Sequence, residues 1–280
     1  MSMILVRTIP EIRRDIAAAR ERDMSIGLVP TMGALHEGHG ALLRRAREEN
    51  SYAVATIFVN PTQFDRPEDL EKYPRNLEAD MAFCERIGVD AVFAPDAREM
   101  YPDQFLTSVA VAGISSRLEG EFRPGHFRGV ATVVAKLFQI IPADRAYFGE
   151  KDAQQLAVIQ KMVADLNIPI AIVPVATVRE PDGVAMSSRN QRLTPDDRRI
   201  APRLYQALCE AGRLIRSGSR SAAEVKRGAL AILASNPEIR VEYLEIVDPT
   251  FHVLETVTGE VRIAAAVWLG QVRLIDNLKV

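Results

Sequence analysis

Cysteine is scarce in this chain, with Cys84 and Cys209 the two among 280 residues. They stand far apart in helical-looking stretches, so they offer no disulfide framework and no structural metal site, and read as thiols in a reducing compartment. Charge of one sign is lacking too. With 35 Lys+Arg against 37 Asp+Glu the formal net charge is −2, which leaves no global basic field for nucleic acid, and small anionic substrates must be met by local groups. No run approaches the ~20 apolar residues of a membrane helix. The opening Met1 to Val6 is too short for a leader, so a cytoplasmic protein without a membrane partner is expected. Internal repeats and low-complexity segments are missing as well. What the chain has is 48% hydrophobic residues, ample for a real core in one large or two modest domains.

The richest stretch is GLVPTMGALHEGHGALLRRAR, from Gly27 to Arg47. Ile26 to Pro30 is a short apolar run bounded by turn residues, as in a buried parallel strand, and Ala41 to Arg47 has a helical pattern. Between them lies a glycine-punctuated turn. Gly33, Gly38 and Gly40 allow close approach of the backbone, and a helix opening near Gly38 would point its first N–H groups back into the turn, forming a phosphate seat. His36 and His39 stand in place of the glycines of a dinucleotide fingerprint. As metal ligands they have no Cys or spaced His nearby to complete a set, and as helix caps they would be structural; as phosphate donors they suit the context of strand, turn and helix. Glu37 between them reads as a solvated or capping carboxylate.

Around this seat the chain alternates strand and helix. Thr8 and Pro10 start a helix running to about Asp23. Strands are expected at Tyr52 to Val59, Ala91 to Ala94, Thr107 to Ala112 and Arg145 to Phe148. Helices are expected at about Arg75 to Ile87, Val130 to Ile140 and Ala153 to Leu166, with Leu118 to Arg128 irregular. Pro169 and Pro174 limit the run Ile168 to Val175 to a strand in its middle, at a sheet edge or at the exit from the first domain. This rhythm predicts an α/β fold with a Rossmann-like parallel sheet over residues 1–177. Beyond the boundary, Glu180-Pro181-Asp182-Gly183 is turn chemistry, a mobile approach to Met186-Ser187-Ser188-Arg189. Helices at about Thr194 to Arg216 and Ala222 to Ala234 and strands at Arg240 to Val247, Val261 to Val267 and Val272 to Asp276 predict a smaller α+β domain over 178–280.

PTMGALHEGH resembles the HIGH-type motif of the nucleotidyltransferase superfamily, in the form found in the pantoate–beta-alanine ligase family. FVNPTQF at Phe58 to Phe64, YPR at Tyr73 to Arg75, AYFGEKDAQQL at Ala146 to Leu156 and VREPDGVAMSSRN at Val178 to Asn190 extend the resemblance over nearly the whole chain. It implies an enzyme that joins (R)-pantoate and beta-alanine at the expense of ATP, through an acyl adenylate, with Mg²⁺, as a homodimer whose C-terminal domain is a lid. Met32, Gly33, Ala34, Leu35, His36, Glu37, Gly38 and His39 would bind ATP, as would Gly149, Glu150, Lys151 and Asp152. Val178, Met186, Ser187, Ser188 and Arg189 would close over it, the last three in place of a KMSKS loop.

His36, His39 and Lys151 would be catalytic, Gln63, Gln155 and Asn60 would hold pantoate and beta-alanine, and Asp80 would hold Mg²⁺ where it is not simply an exposed helix carboxylate. Without the resemblance, GEKD and SSRN are ordinary polar turns and each glutamine a surface residue. A physical case exists for the glutamines, since neutral amides can bind a carboxylate without blunting it as a nucleophile. Gly40 departs from the larger residue expected after the second histidine. The rival readings are a nucleotidyltransferase that keeps the nucleotide in its product and a silent nucleotide sensor; short length and acidic balance exclude a tRNA synthetase.

Overall fold

A computed structural model of the chain describes residues 3–280; Met1 and Ser2, the start of the segment read above as too short for a leader, lie outside them. Two compact units divide the chain, one of Met1–Glu150 with Val158–Ala176, the other of Lys151–Ala157 with Thr177–Val280.

Six strands make the sheet of the first unit: β1 (Ile4–Val6), β2 (Ile26–Thr31), β3 (Tyr52–Ile57), β4 (Ala91–Phe93), β5 (Arg145–Gly149) and β6 (Ala171–Val175). Their order is β1-β4-β3-β2-β5-β6, and every pairing is parallel. Ile26, Leu28, Val29, Ala53, Val54, Ala55 and Val92 are fully buried, as the unbroken apolar runs require of strands covered on both faces. Pro174 cannot donate to a ladder, and β6 is accordingly an edge strand, bonded to β5 alone. From β2 the chain first winds through β3 and β4 to one side, then returns to place β5 on the other side of β2. The reversal puts a crevice outside the carboxyl ends of β2 and β5, where open α/β sheets bind ligands.

Helices α1 (Ile9–Arg20), α2 (Glu37–Glu49), α3 (Pro67–Glu71), α4 (Leu77–Ile87), α5 (Ala97–Met100), α6 (Glu119–Phe122), α7 (His126–Ile140) and α8 (Ala153–Asp165) accompany the strands. Thr8 caps α1 in a capping box with Glu11, and Ile12, Ile16 and Ala19 form its buried stripe. Two expectations fail here. Thr107 to Ala112 forms no strand, because the Val109 N–H goes to the Thr132 hydroxyl of α7 at 2.9 Å rather than to a ladder. The stretch expected to be irregular holds α6 and the first turn of α7, whose apolar face already begins at Phe127 and Val130.

In the second unit α9 (Pro195–Ile200), α10 (Pro202–Arg216) and α11 (Ala222–Ala234) pack on an antiparallel sheet of β7 (Ile239–Val247), β8 (Arg262–Leu269) and β9 (Val272–Lys279). Leu204, Leu208, Ala211 and Ile215 of α10 meet Val225, Ala229 and Leu233 of α11 and Ile263, Ala265 and Val267 of β8 in one core. The single helix expected over 194–216 is broken at Ala201, since Pro202 lacks the N–H that would continue it and instead opens α10. A Rossmann-like parallel sheet with a smaller α+β unit is thus the architecture of the chain. No helix among the described residues is long and apolar enough to cross a membrane.

Candidate functional site

The turn between β2 and α2 is built from its own side chains. Thr31, the last residue of β2, donates its hydroxyl to the Thr56 carbonyl at 2.6 Å and accepts the Gly33 N–H at 3.1 Å. Gly33 and Ala34 then follow with φ of 79° and 51°. A Cβ on Gly33 would stand 2.7 Å from Asp80 Oδ2, so glycine is required by both conformation and space. A non-glycine residue in this region costs roughly 1 to 3 kcal/mol. Asp80 of α4 offsets that cost by accepting the Ala34 N–H at 3.0 Å and the Leu35 N–H at 2.8 Å, bonds worth roughly 1.5 to 3 kcal/mol each when the acceptor is charged. The carboxylate is 4% exposed. Burial pushes its pKa above the usual carboxylate range, with the two backbone bonds pulling it part of the way back.

His36 caps α2, its Nδ1 accepting the Gly38 N–H at 3.1 Å, while His39 Nδ1 accepts the His36 N–H at 3.3 Å. The rings lie 4.1 Å apart. An Nδ1 that accepts carries no proton, so in both neutral imidazoles the hydrogen sits on Nε2. Capping and donating are therefore compatible: one nitrogen of each ring serves the helix and the other is an N–H donor. The N–H groups of Gly33, Ala34, Leu35, His36 and Gly38 are all donated within this framework. Glu37 is paired with Arg44 at 2.6 Å on the surface. The missing bulk at Gly40 is answered by Phe83, whose ring would be 3.1 Å from a Cβ there.

After β3 comes a second polar cluster. Asn60 is buried and donates through Nδ2 to Gln63 Oε1 at 3.0 Å and to the Gly129 carbonyl at 3.2 Å. Its Oδ1 accepts from the Tyr101 hydroxyl at 2.8 Å and the Thr62 hydroxyl at 2.9 Å. With its oxygen engaged, Gln63 presents an amide N–H₂ that has no protein partner among the described residues. His126 Nδ1 lies 2.8 Å from the Gln63 carbonyl and donates to it, with Arg123 Nη1 at 3.3 Å from the other ring nitrogen. Arg123 also reaches Asp65 at 3.2 Å. A Cβ on Gly129 would fall 2.3 Å from the Thr62 carbonyl oxygen, so α7 can approach this turn only through glycine. No motif marks Tyr101, Arg123 or Gly129, because they act on Asn60 and Gln63 from distant parts of the chain; His126 stands out in the sequence only as a residue of the irregular stretch.

The second unit carries the remaining candidates. Lys151 sits in a 3₁₀ turn, Glu150–Asp152, that follows Gly149 at the end of β5. Its Nζ is 3.8 Å from Asp152 Oδ1 and its carbonyl accepts from Asn277 at 2.9 Å. Gln155 is half-buried in the first turn of α8. Val178 and Met186 are joined by a backbone bond of 2.9 Å, and Arg179 pairs with Ala185, so 178–186 is a hairpin. Arg198 binds both Glu180 and Asp182 at 2.6 Å, and Arg179 grips Asp276 through two bonds of 2.6 and 3.0 Å. Ser187 caps the 3₁₀ turn Ser188–Arg192 by accepting the Arg189 N–H at 3.2 Å. The Arg189 guanidinium has no partner among the described residues.

A parallel sheet that reverses its order beside a strand followed by two helix-capping histidines defines a Rossmann-like nucleotidyltransferase of the HIGH type. Within that class, residues 4–279 match the model of the Pantoate-beta-alanine ligase family, and the chain belongs to that family. Pantothenate synthetase from Moorella thermoacetica is 53% identical over 99% of this chain and 98% of its own length, and that from Aquifex aeolicus 49% identical over 99% of each. Among solved structures, pantothenate synthetase from Thermus thermophilus superposes with a TM-score of 0.93 at 49% identity, covering 99% of both chains. Pantoate-beta-alanine ligase from Francisella tularensis, complexed with beta-gamma ATP and beta-alanine, gives 0.81 at 35% identity, covering 99% of this chain and 97% of its own.

Proposed function

We propose that the chain condenses (R)-pantoate with beta-alanine in two steps. The pantoate carboxylate, ionised at neutral pH and needing no base, attacks the α-phosphorus of ATP; a P–O bond forms to the acid as the bond to pyrophosphate breaks. The amine of beta-alanine then attacks the acyl carbon of the adenylate, and AMP leaves as pantothenate forms. The observation that carries this reading is the pair of Nε2–H imidazoles at the mouth of α2. They are donors already oriented by their own capping bonds, and such preorganised donors stabilise charge growing on phosphate oxygens.

Lys151 supplies a mobile point charge and Arg189 a forked one, with the hydroxyls of Ser187 and Ser188 beside it. The remaining residues of Met32 to His39, Gly149 to Asp152 and Val178 line the nucleotide. Gln63, through its amide N–H₂, and Gln155 hold pantoate, with Asn60 orienting Gln63. Beta-alanine follows, also against Gln63. Mg²⁺ belongs to the ATP chemistry and travels with the triphosphate; no step here depends on a protein ligand for it. On the same reading the enzyme acts in the cytoplasm as a homodimer, on small molecules alone. Pyrophosphate exchange into ATP tests the order of steps: it should need pantoate and not beta-alanine, with AMP released stoichiometrically once beta-alanine is added. Exchange that requires the amine would sink the two-step scheme.

A further inference from the structure

Asp80 stands where the resemblance implies a magnesium ligand, and its surroundings do not fit one. Both carboxylate oxygens are taken by the N–H groups of Ala34 and Leu35, the side chain is closed off from solvent, and among the described residues no group of three or more His, Cys, Asp or Glu is placed to hold a metal. Successive backbone N–H groups in and beside left-handed residues make a concavity for a single anion. Gly33 and Ala34 provide that conformation, and the anion seated in it is Asp80. We propose that Asp80 is a positioning residue, a built-in anion that fixes the backbone of the histidine turn and so aims His36 and His39, and that it does not bind magnesium.

The linkage is short. Leu35 is held by Asp80, the next N–H belongs to His36 and is donated to His39 Nδ1, and His36 Nδ1 in turn takes the Gly38 N–H. Gly33, on the other side, is fastened to Thr31 and is packed so closely on Asp80 that a methyl group would displace the carboxylate. Two unrelated changes should therefore produce one phenotype: Asp80→Ala removes the anion, and Gly33→Ala pushes it away.

The test has two arms, of which only the kinetic one rests on the proposed reaction. Amide hydrogen exchange of Ala34 and Leu35, measured by NMR in the unliganded full chain, should speed up about tenfold to a hundredfold in both variants, the equivalent of one lost charge-assisted bond at each amide. Asp80→Asn keeps one acceptor and should release one amide only. In pantoate-dependent pyrophosphate exchange the turnover should fall roughly a hundredfold, as for misplaced catalytic groups, while the Mg²⁺ concentration giving half-maximal rate stays within about twofold of wild type. Unchanged amide exchange in folded Asp80→Ala overturns the proposal, as does activity restored by raising Mg²⁺. Should the wild-type chain fail to exchange pyrophosphate, the proposed reaction is broken and the amide arm decides this inference by itself.

Discussion

Two turns of this molecule carry the proposed ligand-binding residues, and they are held by different means. The histidine turn of the first unit is fastened from inside, by Thr31, by Asp80 and by the imidazoles themselves, through bonds that are buried or partly buried. The hairpin 178–186 of the second unit is fastened by ion pairs. One of these, between Arg179 and Asp276, is shielded, while Asp182 opposite Arg198 keeps 40% of its side chain exposed. Exposed pairs contribute about 0.2 to 1 kcal/mol and weaken with salt, whereas a buried acceptor of backbone N–H groups cannot be lost without orphaning its donors. The restraints of the first turn are hydrogen bonds to backbone groups, and the exposed pair of the second is the one that salt screens.

The comparison breaks most visibly at the chemistry. His39→Ala, and separately Lys151→Ala, should lower the single-turnover rate of adenylation by roughly 10² to 10³, the loss usual for one preorganised donor. His39→Ala should also free the His36 N–H, an effect on the fold of the turn that Lys151→Ala cannot have. A variant that keeps nearly the wild-type rate would make its residue a bystander. Next in size is substrate recognition: Gln63→Ala and Gln155→Ala should raise the pantoate KM about tenfold to a hundredfold, from the loss of one bond to a charged group. The ATP KM at saturating pantoate should stay within a few fold; if both constants climb together, the glutamines serve the nucleotide or the fold.

Smaller effects sharpen the contrast between the turns. Arg198→Ala leaves Glu180 and Asp182 without their shared cation and should destabilise the hairpin by about 1 kcal/mol, read as faster amide exchange over 180–186 with Ala34 and Leu35 unmoved. The smallest effect comes from acid. The Arg198 guanidinium hydrogen-bonded to Asp182 holds its carboxyl below the usual range, outweighing burial. A depressed carboxylate contributes stability that is complete above its unfolded pKa of about 3.9 and is lost as pH falls through the lower folded value. Amide protection of the hairpin, corrected for intrinsic rates, should therefore hold down to about pH 4 and decline below it, and should also weaken in molar salt. Protection that fails first at the histidine turn would invert the comparison.

Local chemistry is legible in the sequence wherever a single stretch carries it. Thr8 and Pro10 mark a helix start, unbroken apolar runs mark strands covered on both faces, Pro174 marks an edge, and HEGH marks a helix mouth with two imidazoles, because each of these depends on neighbours a few residues away. What the sequence determined alone was therefore the alternation of elements, the α/β class and the imidazole pair of the first turn, the candidates of the other loops resting on the family resemblance. Tertiary structure decided the rest. Thr107 to Ala112 has strand-like residues, yet Thr132 takes the Val109 N–H; Asp80 looks like an exposed helix carboxylate, yet it accepts two N–H groups 45 and 46 residues away. Gln63 owes its presented amide to Asn60, and its carbonyl is held by His126, 63 positions on. Hydrogen-bond partners that far apart in the chain are chosen by the packing of elements, and a buried polar group must take whichever donor or acceptor that packing delivers.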